Sequence, residues 1–267
     1  MSRFPVLVSL TLGVAATALT SQAHAQDNLF SDVSLGVGAF VNVAPKYEGS
    51  DEYRVRAIPF AFPIFNGRES ERSRVTFRGV DDVRLSVFRR GGFDVGPIVG
   101  YSFGREESLS SKLGGLGDVD GGLVLGAFGS YNAGSAFADL GVSTQITGGS
   151  DNGFLATAGV GYTADIAPRF ALTGRTDVEY ASSGYMERYF SVTPAQAAAS
   201  TEGYGVFDAD AGIKNVSADL SLEFDATDRL TLRTNAGYSR LLGDAADSPI
   251  SVDDNQLSGG LGFTFRF

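Results

Sequence analysis

The chain of 267 residues has no cysteine and no tryptophan, and its one histidine is His24. Without cysteine, disulfide frameworks and thiolate metal sites are excluded. His24 lies in an N-terminal segment with the pattern of a cleaved leader. The remaining chain therefore has no imidazole to serve as the base of a Ser-His or His-Asp hydrolase. After this segment, no apolar run approaches the roughly 20 residues of a membrane-spanning helix.

Positive charge is also scarce. Lysine and arginine number 21 against 31 aspartate and glutamate residues, which gives a formal net charge of −10. The basic residues form no stripe or cluster, so nucleic acid is not an expected partner.

The first 25 residues resemble an export signal. Arg3 precedes an apolar stretch over 6–19, and Ala23-His24-Ala25 has the small-residue spacing of a cleavage site. An uncleaved anchor helix is the alternative, but the stretch is short. We expect a signal peptide over 1–25 and one mature domain over 26–267, exported from the cytoplasm of a Gram-negative bacterium.

The main pattern in the mature chain is alternation with period two, which is typical of strands with two different faces. Near the C-terminus, Leu261, Phe263 and Phe265 alternate with Gly262 and Thr264. The alternating segments run about 10 to 13 residues, as tilted membrane strands require, whereas soluble strands average about five or six. Length therefore favours a membrane barrel over a soluble β-sandwich.

This pattern predicts an all-β fold, a transmembrane antiparallel β-barrel of about twelve strands, with ten or fourteen as alternatives. The predicted spans are 33–43, 54–65, 74–80, 83–90, 93–104, 119–131, 135–146, 154–166, 170–181, 207–225, 230–241 and 256–267.

Long and short connections alternate along this threading. Bacterial barrels have short periplasmic turns and longer external loops. We therefore expect the long connections 44–53, 105–118, 147–153, 182–206 and 242–255 to be external. The connection 66–73 is expected to be periplasmic.

The span 54–65 departs from simple alternation. Arg54 and Arg56 share a face with apolar residues, and Pro59 and Pro63 each remove a ladder donor. Two explanations are open: either the arginines lie at the external rim, or a β-bulge changes the register.

Carboxylates on predicted inner faces are candidates for chemistry. Asp177 and Glu179 are two residues apart, as are Glu223 and Asp225. A carboxylate-pair hydrolase is one reading. The other is a polar lumen whose charges hold one another, with Glu223 opposite Arg233 across a turn. We favour the second and predict no catalytic residues, no cofactor and no enzyme activity.

A second candidate lies in the connection 242–255, which carries four aspartates and no basic residue. It is either a solvated acidic loop or a weak divalent-cation site. The candidate ligands are Asp244, Asp247, Asp253 and Asp254.

The C-terminus resembles the assembly signal of outer-membrane proteins. Gly262, Phe265 and Phe267 stand at its glycine, aromatic and terminal aromatic positions, whereas Gly260 departs from the polar residue usual there. The signal indicates the cell outer membrane as the location.

Three segments resemble the MltA-interacting protein (MipA)/OmpV family. They are Pro45-Lys46-Tyr47-Glu48-Gly49-Ser50-Asp51, Tyr189-Phe190-Ser191-Val192, and Leu241 to Ile250, which reads LLGDAADSPI. The resemblance implies an outer-membrane barrel that acts as a scaffold for a murein lytic transglycosylase and a bifunctional peptidoglycan synthase. The family also includes proteins described as surface antigens or adhesins. The resemblance implies no particular catalytic or contact residues in this chain.

We therefore expect a non-enzymatic scaffold surrounded by outer-membrane lipid. The alternatives are a narrow small-solute pore or a surface adhesin. In the periplasmic turn 66–73, the charges of Arg68, Glu69, Glu71 and Arg72 are the candidate partner contacts.

The predicted topology is testable with single cysteines, since the chain has none of its own. Ser200→Cys should react with an impermeant thiol reagent on intact cells, because it lies in a long, external connection. Ser70→Cys should react only after the outer membrane is permeabilised. Labelling of position 70 but not of position 200 would reverse the orientation.

Overall fold

The computed structural model describes residues 33–65, 75–149 and 152–267. Their regular structure is dominated by antiparallel strands: β1 Val33–Pro45, β2 Tyr53–Phe65, β3 Val75–Phe77, β4 Val83–Leu85, β5 Phe88–Arg90, β6 Phe93–Ser102, β7 Gly122–Ala133, β8 Ala136–Gln145, β9 Leu155–Ala167, β10 Phe170–Ala181, β11 Gly212–Asp225, β12 Leu230–Leu241 and β13 Asn255–Arg266. The signal peptide predicted over 1–25 and the turn predicted over 66–73 lie outside the described residues.

The strands form one nearly closed barrel. Each strand from β6 to β13 pairs with the next, β13 pairs with β1, and β1 pairs with β2. Both β4 and β5 pair with β6, so they occupy one position in the wall. The wall thus has twelve positions, which confirms the predicted barrel and strand number. At the seam between β2 and β3, the rings of Phe60 and Phe77 stack with centroids 5.6 Å apart.

The spans predicted over 74–80 and 83–90 are much shorter or interrupted in the structure. The gap between β4 and β5 lies opposite Gly96 and Pro97 of β6. Pro97 has no amide to donate to a ladder. A Cβ on Gly96 would lie 1.8 Å from the Leu85 carbonyl oxygen, so only glycine permits this close crossing.

Of the two explanations offered for the arginines of β2, the change of register is wrong. The register from Tyr53↔Pro45 to Phe65↔Val33 is unbroken, so no bulge occurs. Arg54 and Arg56 are partly buried between exposed neighbours, which puts them on the inner face. The Arg56 guanidinium lies 4.6 Å from the centroid of the Phe103 ring, which offers a cation–π contact.

The two faces of the wall differ as the alternation predicts. Apolar side chains such as Leu140, Leu257 and Leu261 are exposed on the outside. Inside, glycines make room for rings: a Cβ on Gly260 or Gly262 would lie 2.4 Å from Phe40 atoms. The outer face therefore suits lipid, and one sector of the lumen is filled by aromatic rings.

Aromatic pairs mark both ends of the wall. The pairs, with centroid separations, are Phe93–Tyr131 at 4.8 Å, Tyr101–Phe103 at 5.5 Å, Phe154–Tyr180 at 6.1 Å and Phe265–Phe267 at 5.0 Å. Such girdles are typical of the membrane–water interface. In the described residues, no helix has the length and apolar character needed to cross a membrane.

The connections at the two ends of the barrel differ in kind. At one end, called the turn end, lie the short turns 91–92, 134–135, 168–169 and 226–229. At the opposite, loop end, the longer connections contain the helices α1 Ser183–Phe190, α2 Pro194–Ala199 and α3 Asp244–Asp247.

Two predicted strands begin later than expected because their first residues belong to these loops. β7 begins at Gly122, since Val119 pairs with Arg105, and β11 begins at Gly212, since Phe207 pairs with Val192.

Candidate functional site

An ionic cluster crosses the lumen near its middle. The Asp139 carboxylate of β8 is fully buried and accepts two 2.8 Å hydrogen bonds from Arg78. Arg84 donates to it at 2.7 Å, and Arg175 of β10 also contacts it. Asp82 bonds Arg84, and Asp177 bonds Arg175. These six side chains, here called the lumen cluster, carry no formal net charge.

Small residues and rings on the inner face give the lumen cluster its space. A Cβ on Gly159 would lie 2.1 Å from the Arg175 Nη2 atom, and one on Gly141 would lie 3.0 Å from that of Arg84. Arg84 also lies 5.3 Å from the Phe128 ring centroid. The strand alternation thus brings charges from separate strands together across the lumen.

The lumen cluster is held strongly because its members depend on one another. A buried carboxylate is stable only when paired and hydrogen-bonded, and Asp139 has three guanidinium partners. Removing one member of such a buried pair generally costs about 3–5 kcal/mol, because the remaining charge is left uncompensated. The cluster therefore ties the β3–β4 hairpin to β8 and β10, and it occupies the lumen at this level.

A second obstruction, here called the cap, is built by the connections 46–52, 103–121, 182–211 and 242–254. It has its own apolar interior. The side chains of Leu113, Phe190, Val192, Ala245 and Ile250 are essentially unexposed. The loops at this end are thus packed against one another.

The segment Pro45–Asp51 joins the first connection to the last. Gly49 has φ 87°, which glycine adopts without strain, and its carbonyl accepts bonds from Val252 N at 2.7 Å and Asp253 N at 3.0 Å.

Burial raises the pKa of Tyr47 to about 12. A hydrogen bond from Lys112 lowers the pKa of Asp51 below its ordinary value.

The other family-like segments pack in the same cap. The Ser248 Oγ donates to the Phe190 carbonyl at 2.5 Å, and Ser191 Oγ accepts from Ala209 N at 2.8 Å. Arg105, itself buried, donates to the Tyr189 carbonyl at 2.7 Å. The three segments that are distant in sequence therefore form one structural unit.

A β-bulge links the cap to the wall. Glu179 pairs with Asn215 and Tyr180 with Ile213, so Lys214 is an extra residue that the bulge turns inward. Its Nζ lies 2.6 Å from Glu179 and also contacts Glu48. The Tyr185 hydroxyl donates to Glu48 at 2.9 Å, and burial raises the pKa of Tyr185 well above its ordinary value.

The aspartates predicted as a cation site do not form one. Asp244 accepts from Asp210 N at 2.7 Å, and Asp253 accepts from Asn255 N at 2.8 Å. Throughout the described ranges, no three acidic or histidine side chains are arranged to hold a metal ion. The carboxylates of Asp244 and Asp253 bind backbone amides because the connection is folded into the cap. Asp247 and Asp254 are the other two candidate ligands.

Other predicted site residues lie as follows. Glu223 stands opposite Arg233, and their side chains contact with about two-fifths of each exposed. Gly262, Phe265 and Phe267 end the barrel at β13, where Phe267 N donates to the Leu35 carbonyl at 2.9 Å. The contact candidates Arg68, Glu69, Glu71 and Arg72 lie outside the described residues.

Asp139, Arg84 and Lys214 are structurally central but were missed by sequence reasoning. Asp139 is the one charged residue in the strand 136–145, which is a usable signal for a charge on an inner face. Lys214 has no comparable signal in the sequence, because its inward orientation depends on the β-bulge.

A nearly closed antiparallel wall, apolar outside and ionic inside, defines the class: an outer-membrane β-barrel protein. The family model described as MltA-interacting protein MipA matches residues 37–267. The chain belongs to this family.

Three solved structures are similar to this chain in fold. The translocator domain of the autotransporter NalP from Neisseria meningitidis has a TM-score of 0.42 and 11% identity, over 90% of each chain. The KdgM porin has a TM-score of 0.41 and 8% identity, over 87% of this chain and 99% of its own. The outer membrane channel DcaP of Acinetobacter baumannii has a TM-score of 0.40 and 10% identity, over 88% of this chain and 96% of its own. No curated protein matches the sequence.

The importance of the lumen cluster is testable through Asp139→Asn, which keeps the shape and removes the charge. We expect the free energy of unfolding to fall by about 3–5 kcal/mol, because three arginines lose their shared partner. Urea titration of the folded barrel in detergent micelles would measure it.

Two matched variants serve as controls. Asp165→Asn lies on an inner face but is exposed, and it should change stability by less than about 0.5 kcal/mol. Glu223→Gln breaks a half-exposed pair and should cost about 0–1 kcal/mol. Equal losses in all three variants would contradict a special role for Asp139.

Proposed function

We propose that this protein is a non-enzymatic scaffold of the outer membrane that docks peptidoglycan-remodelling enzymes. A murein lytic transglycosylase is the first partner, and a peptidoglycan synthase is the second. The family is named for interaction with MltA, and that property is extended here to this chain.

The observation that carries the proposal is the occupied lumen. The lumen cluster crosses it at mid-height, with the side chains of Asp139 and Arg84 at 0% and 3% exposure. The cap covers the loop end, where Lys214 is 2% exposed. A barrel filled at two levels is poorly suited to solute passage, so binding on its outer surfaces is the better-supported activity.

The inner carboxylates also favour a structural role over catalysis. Asp177 is bound to Arg175, and Glu179 is bound to Lys214. A catalytic carboxylate must be able to reach a substrate. Carboxylates held by cations inside the lumen are poorly placed to do so.

The proposal places the partner at the periplasmic face, with the turn 66–73 as the first contact to test. Replacing these eight residues by two glycines should leave a folded barrel, since short turns readily join such strands. It should abolish co-purification of the transglycosylase, because the charges of Arg68, Glu69, Glu71 and Arg72 are removed.

A variant at the other end controls for charge loss. Glu202→Gln with Asp208→Asn neutralises two exposed residues of the cap and should leave co-purification unchanged. Loss of the partner in this control, with retention in the turn variant, would put the docking surface at the loop end. That outcome would reverse the assignment of the two barrel ends to the periplasm and the exterior.

The pore alternative is tested by planar-bilayer conductance of the purified mature protein. We expect no steady open channel, because ion pairs and the cap both lie in the path. Sustained stepwise currents from the wild-type barrel would contradict the scaffold proposal and support a small-solute pore. The heat-modifiable mobility of the same sample shows that the barrel under test is folded.

A further inference from the structure

A polar cavity of about 230 Å³ opens at the turn end, away from the lumen cluster and the cap. It lies between the turns 168–169 and 226–229 and the end of β13. The residues that line this turn-end pocket are Arg169, Asp225, Thr227, Asp228, Arg229, Thr231, Thr264 and Arg266.

Arg169 occupies a backbone conformation that normally favours glycine. Its φ is 69°, the one positive φ outside glycine in the described ranges. Such a conformation strains a residue that carries a Cβ. The position is fixed by its neighbours, since Asp225 N donates to the Arg169 carbonyl at 2.9 Å. This fixed backbone places the Arg169 side chain among the residues that line the pocket.

Two other guanidinium groups in the pocket have no partner in the part of the chain described. They belong to Arg229 and Arg266, which are both exposed and are joined only through a backbone hydrogen bond of 2.8 Å. Arg169, in contrast, donates to the Ala226 carbonyl at 3.2 Å and lies 3.5 Å from Asp228. Unpaired arginines that converge on a cavity are well suited to bidentate binding of carboxylates.

The acidic residues restrict the ligand further. Asp225 accepts from the Thr231 hydroxyl at 2.6 Å. Asp228 is 97% exposed, and its carboxylate, one oxygen of which lies 3.5 Å from Arg169, can also meet an ammonium group from solvent. Three arginines and two aspartates leave a formal charge of +1 in the pocket. A ligand with two carboxylates for each ammonium group complements this arrangement.

The size of the pocket indicates a small group. Cavities that hold drug-sized ligands measure roughly 300–1,000 Å³. A cavity of about 230 Å³ suits the charged end of a short peptide.

We propose that the turn-end pocket binds the carboxylate-bearing stem peptides of peptidoglycan. This inference rests on the proposed function, because it requires the turn end to face the periplasm, where the murein layer lies. Stem peptides carry several free carboxylates and an ammonium group, which matches the pocket. Binding there fixes the barrel to the wall, so a docked murein enzyme is held beside its substrate.

The test measures binding of a purified disaccharide–tetrapeptide muropeptide to the full-length folded barrel by isothermal titration calorimetry. Arg229→Gln with Arg266→Gln should weaken binding by at least about tenfold, because charge-assisted bonds to carboxylates are lost. Arg90→Gln is the matched control: it removes an exposed arginine at the same end but outside the pocket, and it should retain wild-type affinity. The disaccharide without its peptide should not bind.

Several outcomes overturn the proposal. They are absence of muropeptide binding to the wild type at millimolar concentration, unchanged affinity in the double variant, and equal loss in Arg90→Gln. If the double variant loses the partner enzyme and the wild type binds no muropeptide, the pocket instead holds a segment of the partner. Muropeptide binding without any co-purified enzyme would leave the pocket assigned and contradict the scaffold proposal.

Discussion

The buried carboxylate of Asp139, shared by three arginines, is the interaction on which the interior of the barrel depends. Asp139 lies opposite the β3–β4 hairpin, the least regular part of the wall, and Arg78 and Arg84 come from that hairpin. Short strands form few ladder bonds, so the ionic contacts supply much of what fixes the hairpin. The same contacts place charged groups in the path that a solute would take through the lumen.

The loop end shows the same dependence on contacts between distant segments. Lys214 is turned inward by a bulge, and it meets Glu48 from the first connection and Glu179 from β10. The cap therefore has a cationic attachment to the wall beneath its apolar interior. The family-like segments coincide with this cap, which gives them a structural role. The functional surfaces proposed for this family member lie instead at the opposite end.

That turn end has a different chemistry, because some of its arginines have no carboxylate partner in the described residues. In the lumen, every arginine of the lumen cluster has a carboxylate partner, whereas Arg229 and Arg266 have none in the described residues. Exposed guanidinium groups are solvated at little cost, so they remain free to bind a ligand. The molecule thus separates charges that stabilise the barrel from charges available for recognition.

The sequence by itself determined the barrel, its twelve wall positions and the facing of most strands, because period-two alternation is a local property of each segment. It also indicated inner-face charges such as Asp177 and Glu179. Only the tertiary structure decided that β4 and β5 are one interrupted strand, that Lys214 points inward, and that Asp139 gathers three arginines. It also decided that the carboxylates of Asp244 and Asp253 accept hydrogen bonds from backbone amides. These features depend on bulges, close crossings at glycine and contacts between distant segments, and none of these leaves a periodic signal in the chain.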